Sequence, residues 1–583
     1  MAKKTVPKKQ PQAESRLVKA KAQSDHGSSD VSSWAGWIFL VLSAFIFLQA
    51  RIQLLAIPME RDEGGFAYIG HWMFNGRHLY TDMLDSKLPG LYLYYAFFTS
   101  LFGLHASGVH IGLLIANVVS AICFYVLVRK LYDKLVAAIA TSLFLFLILS
   151  PNVVGFASHA TQLLSPFLLG GLLLFWNALQ SKKTLHFFLA GLLIGMAFTI
   201  KQQAVIFGIL LAVLWWPARL RWYPTAGRKI PIIEWVMLGV GGLLPVISVV
   251  GYFAAAGRFD DFYNWTVTQP FSLAGSYRLS RFEMFKNILP QVMDHFESIW
   301  VLAAAGIGFI FMSGYKRGSQ WFGLSMGILG ILSVVIGAAY YKHYFVLAMP
   351  GLAILAACTL AWISRRLGTY GAAAGIGIAA ILLIISMKAD AGYYFKPDYA
   401  KIHYDTYNRN MFPEMEKIGK ELGKRVPEGE RIGILGSEPE ILVAAGRESC
   451  SKFLMIYALL SDPVRSPPMQ KEYVEEMKAC MPEYIVFNPL SASWAPGYDK
   501  LQFYTEFMPW VEEHYTGVGM AESFDDRPGA IVWDDALLNY TASSNYQIIV
   551  LRRKDKIPPS TIPHVLPNRP STEAPIDVQP MVN

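Results

Sequence analysis

From Trp34 to about residue 387, apolar runs near the ~20 residues that cross a bilayer alternate with short polar connections. The runs fall at 34–57, 105–128, 133–150, 161–179, 185–200, 203–217, 231–255, 297–313, 320–340, 343–363 and 370–387. Their length and hydropathy predict a polytopic α-helical membrane protein with about 11 transmembrane helices. The stretch 88–103, LPGLYLYYAFFTSLFG, is apolar but short, and is placed as an interfacial helix. After about residue 388 charge rises, apolar runs shrink to strand size and turn residues appear. RIGIL (431–435), EYIVF (483–487) and YQIIVLRR (546–553) read as strands, with helical patterns at 438–445 and 469–480. The expected organisation is a disordered cytoplasmic N-terminus at 1–32, a transmembrane domain at 33–388 whose first outer loop is 58–104, a C-terminal extracytoplasmic α/β domain at 389–556, and a disordered tail at 557–583. The N-terminal segment has no short apolar core of its own, so it is not read as a signal peptide.

Composition supports the membrane reading: 54% of residues are hydrophobic and 16% charged, against about 25% charged in soluble domains. The net charge of +8 raises nucleic acid as a partner, but the bases sit in short loops between apolar windows, where they act as orientation signals. Arg129, Lys130 and Lys134; Lys182 and Lys183; Arg219, Arg221, Arg228 and Lys229; Lys316 and Arg317; and Arg365 and Arg366 occupy alternate loops, together with the Lys-rich N-terminus. This side is expected to be cytoplasmic, and the C-terminal domain to face outward. Cys123 and Cys358 lie in apolar windows; Cys450 and Cys480 lie in the polar part, where a disulfide and two thiols are both compatible with the sequence. No cysteine pair has metal-ligand spacing.

The orientation gathers candidate chemistry on the outer side: Asp62, Glu63, Lys87, Lys201, Lys342 and His343 all lie at span ends there. Charges at the hydrocarbon edge are costly unless paired, hydrated or snorkelling, so each is a functional candidate. Asp62 can take a proton from a hydroxyl, and Lys87, Lys201 and Lys342 can hold a phosphate and stabilise charge developing on it. Asp62 and Glu63 also fit a solvated loop or an N-cap for the helical EGGFAYIGHWMF. A transfer from a lipid phosphate to an acceptor hydroxyl suits this set, because outer loops see no ATP.

The string RDEGGFAYIGHWMFNGRHLYTDMLDSKLPGLYLYYAFFTSLFG resembles the first outer loop of GT-C polytopic glycosyltransferases, especially bacterial relatives of dolichyl-phosphate-mannose protein mannosyltransferases and of the aminoarabinose lipid A transferase. The matching residues are Asp62 and Glu63; Gly76, Tyr80 and Asp82; and Asp85, Lys87, Pro89 and Gly90. AFTIKQQAVIF is similar to the family's Lys-containing turn, YYKHYFVLAMPGLAIL to its Tyr-rich span start, and IGILGSEPEILVAAGRES to the start of its outer domain. The resemblance implies an inverting enzyme that takes a sugar from a polyprenyl-phosphate donor to a lipid, glycan or protein hydroxyl. It implies Asp62 as general base and Glu63 as a second catalytic residue that orients Asp62 or the acceptor. Lys87 would contact the donor phosphate, with Lys201, Lys342 and His343 as further candidates. Tyr80, Asp82, Asp85 and His159 are candidate substrate contacts, with a hydrated turn as the other reading of His159. Leu88, where many relatives have a second proline, and Gln202-Gln203, where many have Gly-Pro, depart from the pattern. No metal motif is indicated, although Asp62, Glu63, Asp82 and Asp85 could bind a divalent ion if the loop folds back. Tyr92, Tyr94 and Tyr95 read as an interfacial aromatic belt, and the triplets at Asn264 and Asn539 match the N-glycosylation pattern. A lipid transporter or flippase, with the same cations lining a lipid-phosphate route, is the rival from another class, and a catalytically silent binding protein is a third.

Overall fold

The computed structural model describes residues 34–181, 183–208, 232–275, 280–337, 339–407, 409–460, 465–494, 503–524 and 527–557. The expected span at 203–217 beyond residue 208, the bases Lys182, Arg219, Arg221, Arg228 and Lys229, the N-terminus at 1–32 and the tail from 558 lie outside them.

Among the described residues, six helices are long and apolar enough to cross a bilayer: Trp34–Gln53, Ala106–Leu131, Ala160–Gln180, Ile232–Ala255, Arg317–Ile336 and Gly371–Ala389. Arg281–Met293 and Glu297–Met312, bent by 113° at their junction, bring the number to as many as seven. The expected windows 133–150 and 185–200 hold the shorter helices Lys134–Leu149 and Thr184–Ile200. At 16 and 17 residues they reach about 24–26 Å, short of a ~30 Å hydrocarbon core. Pro89–Phe102, of 14 residues, occupies the stretch expected as an interfacial helix.

Lys134–Leu149 is apolar on every face, and each residue from Val136 onward is buried. A helix hydrophobic all round belongs in an interior, and this one packs beneath Met349–Arg366 and Ala106–Leu131. Asp133 caps its start, accepting from Val136 N at 2.9 Å. The other carboxylate oxygen takes Tyr315 OH at 2.6 Å and Arg365 Nη2 at 3.0 Å, while Tyr132 OH donates to Ser319 O at 2.7 Å. Three of the loops that the charge pattern places on one side therefore meet at one end of the helix bundle. The same helix leads from Asp133 to Ser150 and the turn before His159, so His159 lies at the opposite end.

The C-terminal part is built on a six-stranded sheet ordered β2-β1-β3-β6-β4-β5. Its strands are β1 (Arg431–Leu435), β2 (Glu448–Ser449), β3 (Tyr484–Phe487), β4 (Tyr515–Glu522), β5 (Ala530–Trp533) and β6 (Gln547–Arg553). β1 pairs in parallel with β2 and β3, and the remaining pairs are antiparallel. The three strands read from the sequence are β1, β3 and β6. β4, YTGVGMAE, carries two glycines and a register shift between Gly517 and Gly519, which breaks the alternation by which strands are recognised. Cys450 and Cys480 are disulfide-bonded, Cα to Cα 5.7 Å, tying the end of β2 to the helix Ser466–Cys480; the sequence left a disulfide and two thiols equally open.

Candidate active site

The helix Arg61–Phe74 begins with a capping box in which Glu60 is the N-cap and Glu63 the third helical residue. Glu60 accepts from Glu63 N at 2.8 Å and Asp62 N at 3.0 Å, and Glu63 accepts in return from Glu60 N at 3.3 Å. The acids of this run thus divide into two that build the helix start and one that does not. The Glu63 carboxylate, fully buried, also takes Ser158 N at 2.5 Å and lies 3.0 Å from His110 Nε2. It joins the first loop to Ala106–Leu131 and to the turn before Ala160–Gln180, a positioning role.

Arg61 turns the other way, into the C-terminal domain. Its Nε donates to Ser437 O at 2.5 Å, its Nη1 to Ala492 O at 3.0 Å, and its Nη2 pairs with Glu438 Oε1 at 3.2 Å. The approach is close enough to require glycine at position 64, where a Cβ would lie 2.5 Å from Glu440 N. Between these two anchored neighbours stands Asp62, half-buried. Its carboxylate accepts no hydrogen bond from a described residue.

The loop after this helix doubles back through Tyr80 in the left-handed region, φ 67°, with Tyr80 N donating to Met83 O at 2.8 Å. Tyr80 is buried and its hydroxyl donates to Lys87 O. The Asp82 carboxylate takes His78 N at 2.8 Å, and Asp85 takes Ser86 N. Tyr80 and Asp82, two of the expected substrate contacts, shape the loop that carries Lys87. The Lys87 ammonium lies 3.9 Å from Asp85 Oδ1. At Gly90 the helix Pro89–Phe102 meets the end of Thr184–Ile200, where a Cβ would sit 2.5 Å from Thr199 Oγ1. That contact sets Lys87 beside the turn of Lys201.

Lys201 is buried with its Nζ 3.8 Å from the centre of the Tyr344 ring. Burial and the neighbouring Lys87 ammonium pull it well below its ordinary value, with Asp62 acting in the opposite sense. His159 and His343 stack at 3.9 Å, and both are buried. The hydrated-turn reading of His159 is therefore corrected: burial pulls it down to about 4, and Asp62, Glu63, Lys201 and Lys87 all act on it. Lys87 and Lys201 likewise act on His343, whereas burial alone acts on Lys342. Of that adjacent pair, His343 joins the cluster. The structure thus brings Asp62, Lys87, Lys201, His159 and His343 to one end of the helix bundle. Sequence reasoning missed Tyr457, from the C-terminal domain, on which Asp62, Lys87, Asp85 and Tyr341 all act.

An apolar cavity of about 320 Å³ is lined by Leu88, Phe198, Thr199, Gln202, Val250 and Phe262 among others, and by neither lysine. Leu88 and Gln202, which follow the lysines directly in sequence, are the first residues of the two departures from the family pattern. Glu60, Asp62 and His159 offer one ligand atom each, all within 4.8 Å of one another, a spacing that could hold a divalent ion. This set differs from the four acids expected from sequence, because Glu63, Asp82 and Asp85 are held elsewhere. His159 Nε2 is buried without a hydrogen-bond partner.

ArnT from Cupriavidus metallidurans bound to undecaprenyl phosphate is similar over 88% of this chain and 98% of its own, with a TM-score of 0.57 at 14% identity. The same protein in the apo state is similar over 78% and 93%, with a TM-score of 0.53 at 14% identity. The fold is thus similar to that of ArnT. Residues 86–252 match the family model described as dolichyl-phosphate-mannose-protein mannosyltransferase. No curated protein matches it by sequence.

Proposed function

We propose that the chain moves a sugar from a polyprenyl-phosphate donor to a hydroxyl acceptor, with Asp62 as general base. The observation that carries this reading is the buried Lys201 beside Lys87 and the Asp62 carboxylate, with an apolar cavity lined by Leu88 and Gln202, the residues that follow the two lysines in sequence. A lipid phosphate needs an apolar wall for its chain and cations for its head. The cavity begins at the residues next to Lys87 and Lys201, and burial makes the Lys201 charge costly until an anion arrives. The undecaprenyl phosphate bound by ArnT is a lipid of this class.

In the reaction, an acceptor hydroxyl attacks the anomeric carbon while Asp62 takes its proton. The bond from that carbon to the phosphate oxygen breaks, its electrons leave on polyprenyl phosphate, and Lys87 and Lys201 stabilise that charge. Attack opposite the leaving group inverts the anomeric centre. Glu63 holds the base in place. The Asp62 end faces out of the cytoplasm in the inner membrane, since the basic loops gather at the Asp133 end and a disulfide suits an oxidising compartment. The domain limits at 33–388 and 389–556 follow the same reading.

The test is mass spectrometry of outer-face glycolipids and glycoproteins from cells with and without the chain. The expected result is one sugar mass lost from one class of molecule. Identical profiles, with undecaprenyl phosphate moved across the membrane by the purified protein, would favour the flippase reading instead.

A further inference from the structure

The peptide of Ser158 joins the helix that carries Asp62 to the helix that follows Lys87, and nothing above gives this joint a role. Its N–H donates to Glu63 Oε1 at 2.5 Å, and its carbonyl accepts from Tyr95 OH at 2.6 Å. Glu63 directly follows Asp62, and Ser158 directly precedes His159. The bond between Glu63 and Ser158 therefore sets the register of Asp62 against His159, whose nearest ligand atoms lie within 4.8 Å of each other. Behind Glu63 stands the buried His110, its Nε2 3.0 Å from the same Oε1 and its Nδ1 3.0 Å from Leu55 O. Tyr95 belongs to Pro89–Phe102, which begins two residues after Lys87. Its ring meets Phe66, on the Asp62 helix, edge-on at 5.6 Å, and the Lys87 ammonium lies 5.9 Å from the centre of the Phe66 ring. Tyr95 and Ser158 are both buried, which corrects the expectation of Tyr95 in an interfacial aromatic belt. A phenylalanine at 95 would take the donor from a carbonyl that water does not reach.

We propose that Tyr95 and His110 are positioning residues for the transfer step, clamping the Ser158 peptide from its two sides so that Asp62 keeps a fixed place relative to His159 and Lys87. This rests on the glycosyl-transfer reading above. Tyr95 fixes the carbonyl side of the peptide directly, and His110 fixes the amide side through Glu63. With either side released, the turn bearing His159 and the start of the Asp62 helix can shift against each other. A displacement of about 1 Å at a reacting group can cost about 10²-fold in rate. A phosphate held by lysines tolerates the same shift, because an ammonium on a flexible stem follows its anion. The clamp therefore acts on turnover and not on the hold of the lipid phosphate. Tyr94 supplies a control within the same helix: its hydroxyl donates to Gly112 O at 2.9 Å, a bond of the same kind that does not reach Ser158.

The experiment compares full-length wild type, Tyr95→Phe and Tyr94→Phe in two measurements. One is the rate at which sugar-bearing product appears, by mass spectrometry of membranes holding each protein at equal level; the other is binding of undecaprenyl phosphate to the purified proteins. Tyr95→Phe is expected to lower the rate about tenfold or more while leaving lipid-phosphate affinity within about twofold. Tyr94→Phe is expected to leave both within about twofold. A wild-type rate in Tyr95→Phe overturns the proposal, as does an equal fall in Tyr94→Phe or an affinity loss as large as the fall in rate. Should Tyr95→Phe fail to fold, His110→Gln carries the test from the other side of the peptide: the same split between rate and affinity is expected, and a wild-type rate overturns the proposal. If wild type itself yields no sugar product, the transfer reading fails and the clamp loses its role with it, an outcome distinct from a defect confined to the variants.

Discussion

The two ends of the helix bundle are made of similar parts in opposite states. At one end Asp133 meets Arg365 and Tyr315, and its oxygens accept from a backbone amide, a phenol and a guanidinium. At the other, Asp62 lies among Lys87, Lys201, His159 and Tyr457, yet its carboxylate accepts nothing from a described side chain. The first acid is a staple between loops. The second is held in place by its neighbours Glu60, Arg61 and Glu63, each bonded to a different part of the molecule, and is kept available. An acid beside cations is thus diagnostic only when its bonding is known: a satisfied carboxylate holds structure, and an unsatisfied, half-buried one is a candidate for chemistry.

The largest stability effect expected concerns the anchor beside Asp62. Arg61→Ala leaves Glu438, fully buried, without its partner, and should cost about 3–5 kcal/mol. Limited proteolysis should then release the C-terminal domain, while Arg61→Lys retains part of the anchor; an Arg61→Ala protein as resistant as wild type would break the comparison. Next come the lysines. Lys201→Ala should weaken undecaprenyl phosphate binding about tenfold, as lost charge-assisted bonds do, whereas Arg365→Ala at the opposite end should leave it unchanged. Equal losses at both ends would mean that the lipid phosphate does not discriminate between them.

These expectations sort what the sequence disclosed from what it hid. Lys87 and Lys201 were legible because a lysine at the end of an apolar run is costly wherever the run packs. The helices Lys134–Leu149 and Thr184–Ile200 were legible from apolar content. The capping box was legible in kind, since Glu60 and Glu63 stand three apart, though the cap is Glu60 and not Asp62. The Arg61 to Glu438 pair, the contribution of Tyr457 and the choice of His343 over Lys342 were not legible. Each depends on contacts between distant segments, and local periodicity carries no record of them.

A smaller effect sharpens the interface behind the base. Glu440 is buried against Gly64 and its carboxylate has no side-chain hydrogen-bond partner. Burial, then the neighbouring Glu438, holds it well above the ordinary carboxylate range, against the pull of Arg61. The folded state therefore holds this proton more tightly than the unfolded chain, and stability should fall as pH rises from the ordinary carboxylate range through the folded value. Glu440→Gln should flatten that dependence, read as the difference in thermal midpoint between roughly pH 5 and pH 8; an unchanged difference contradicts it. The smallest effect belongs to Asp133→Asn. With side chains 42–43% exposed at that pair, the change should cost at most about 1 kcal/mol and leave sugar transfer intact.

The most direct test sets Asp62→Asn against wild type in one reconstituted preparation, reading sugar transfer and undecaprenyl phosphate binding together. Transfer should fall by about 10²–10⁴ while the lipid phosphate binds as before. Transfer surviving in Asp62→Asn would contradict the account.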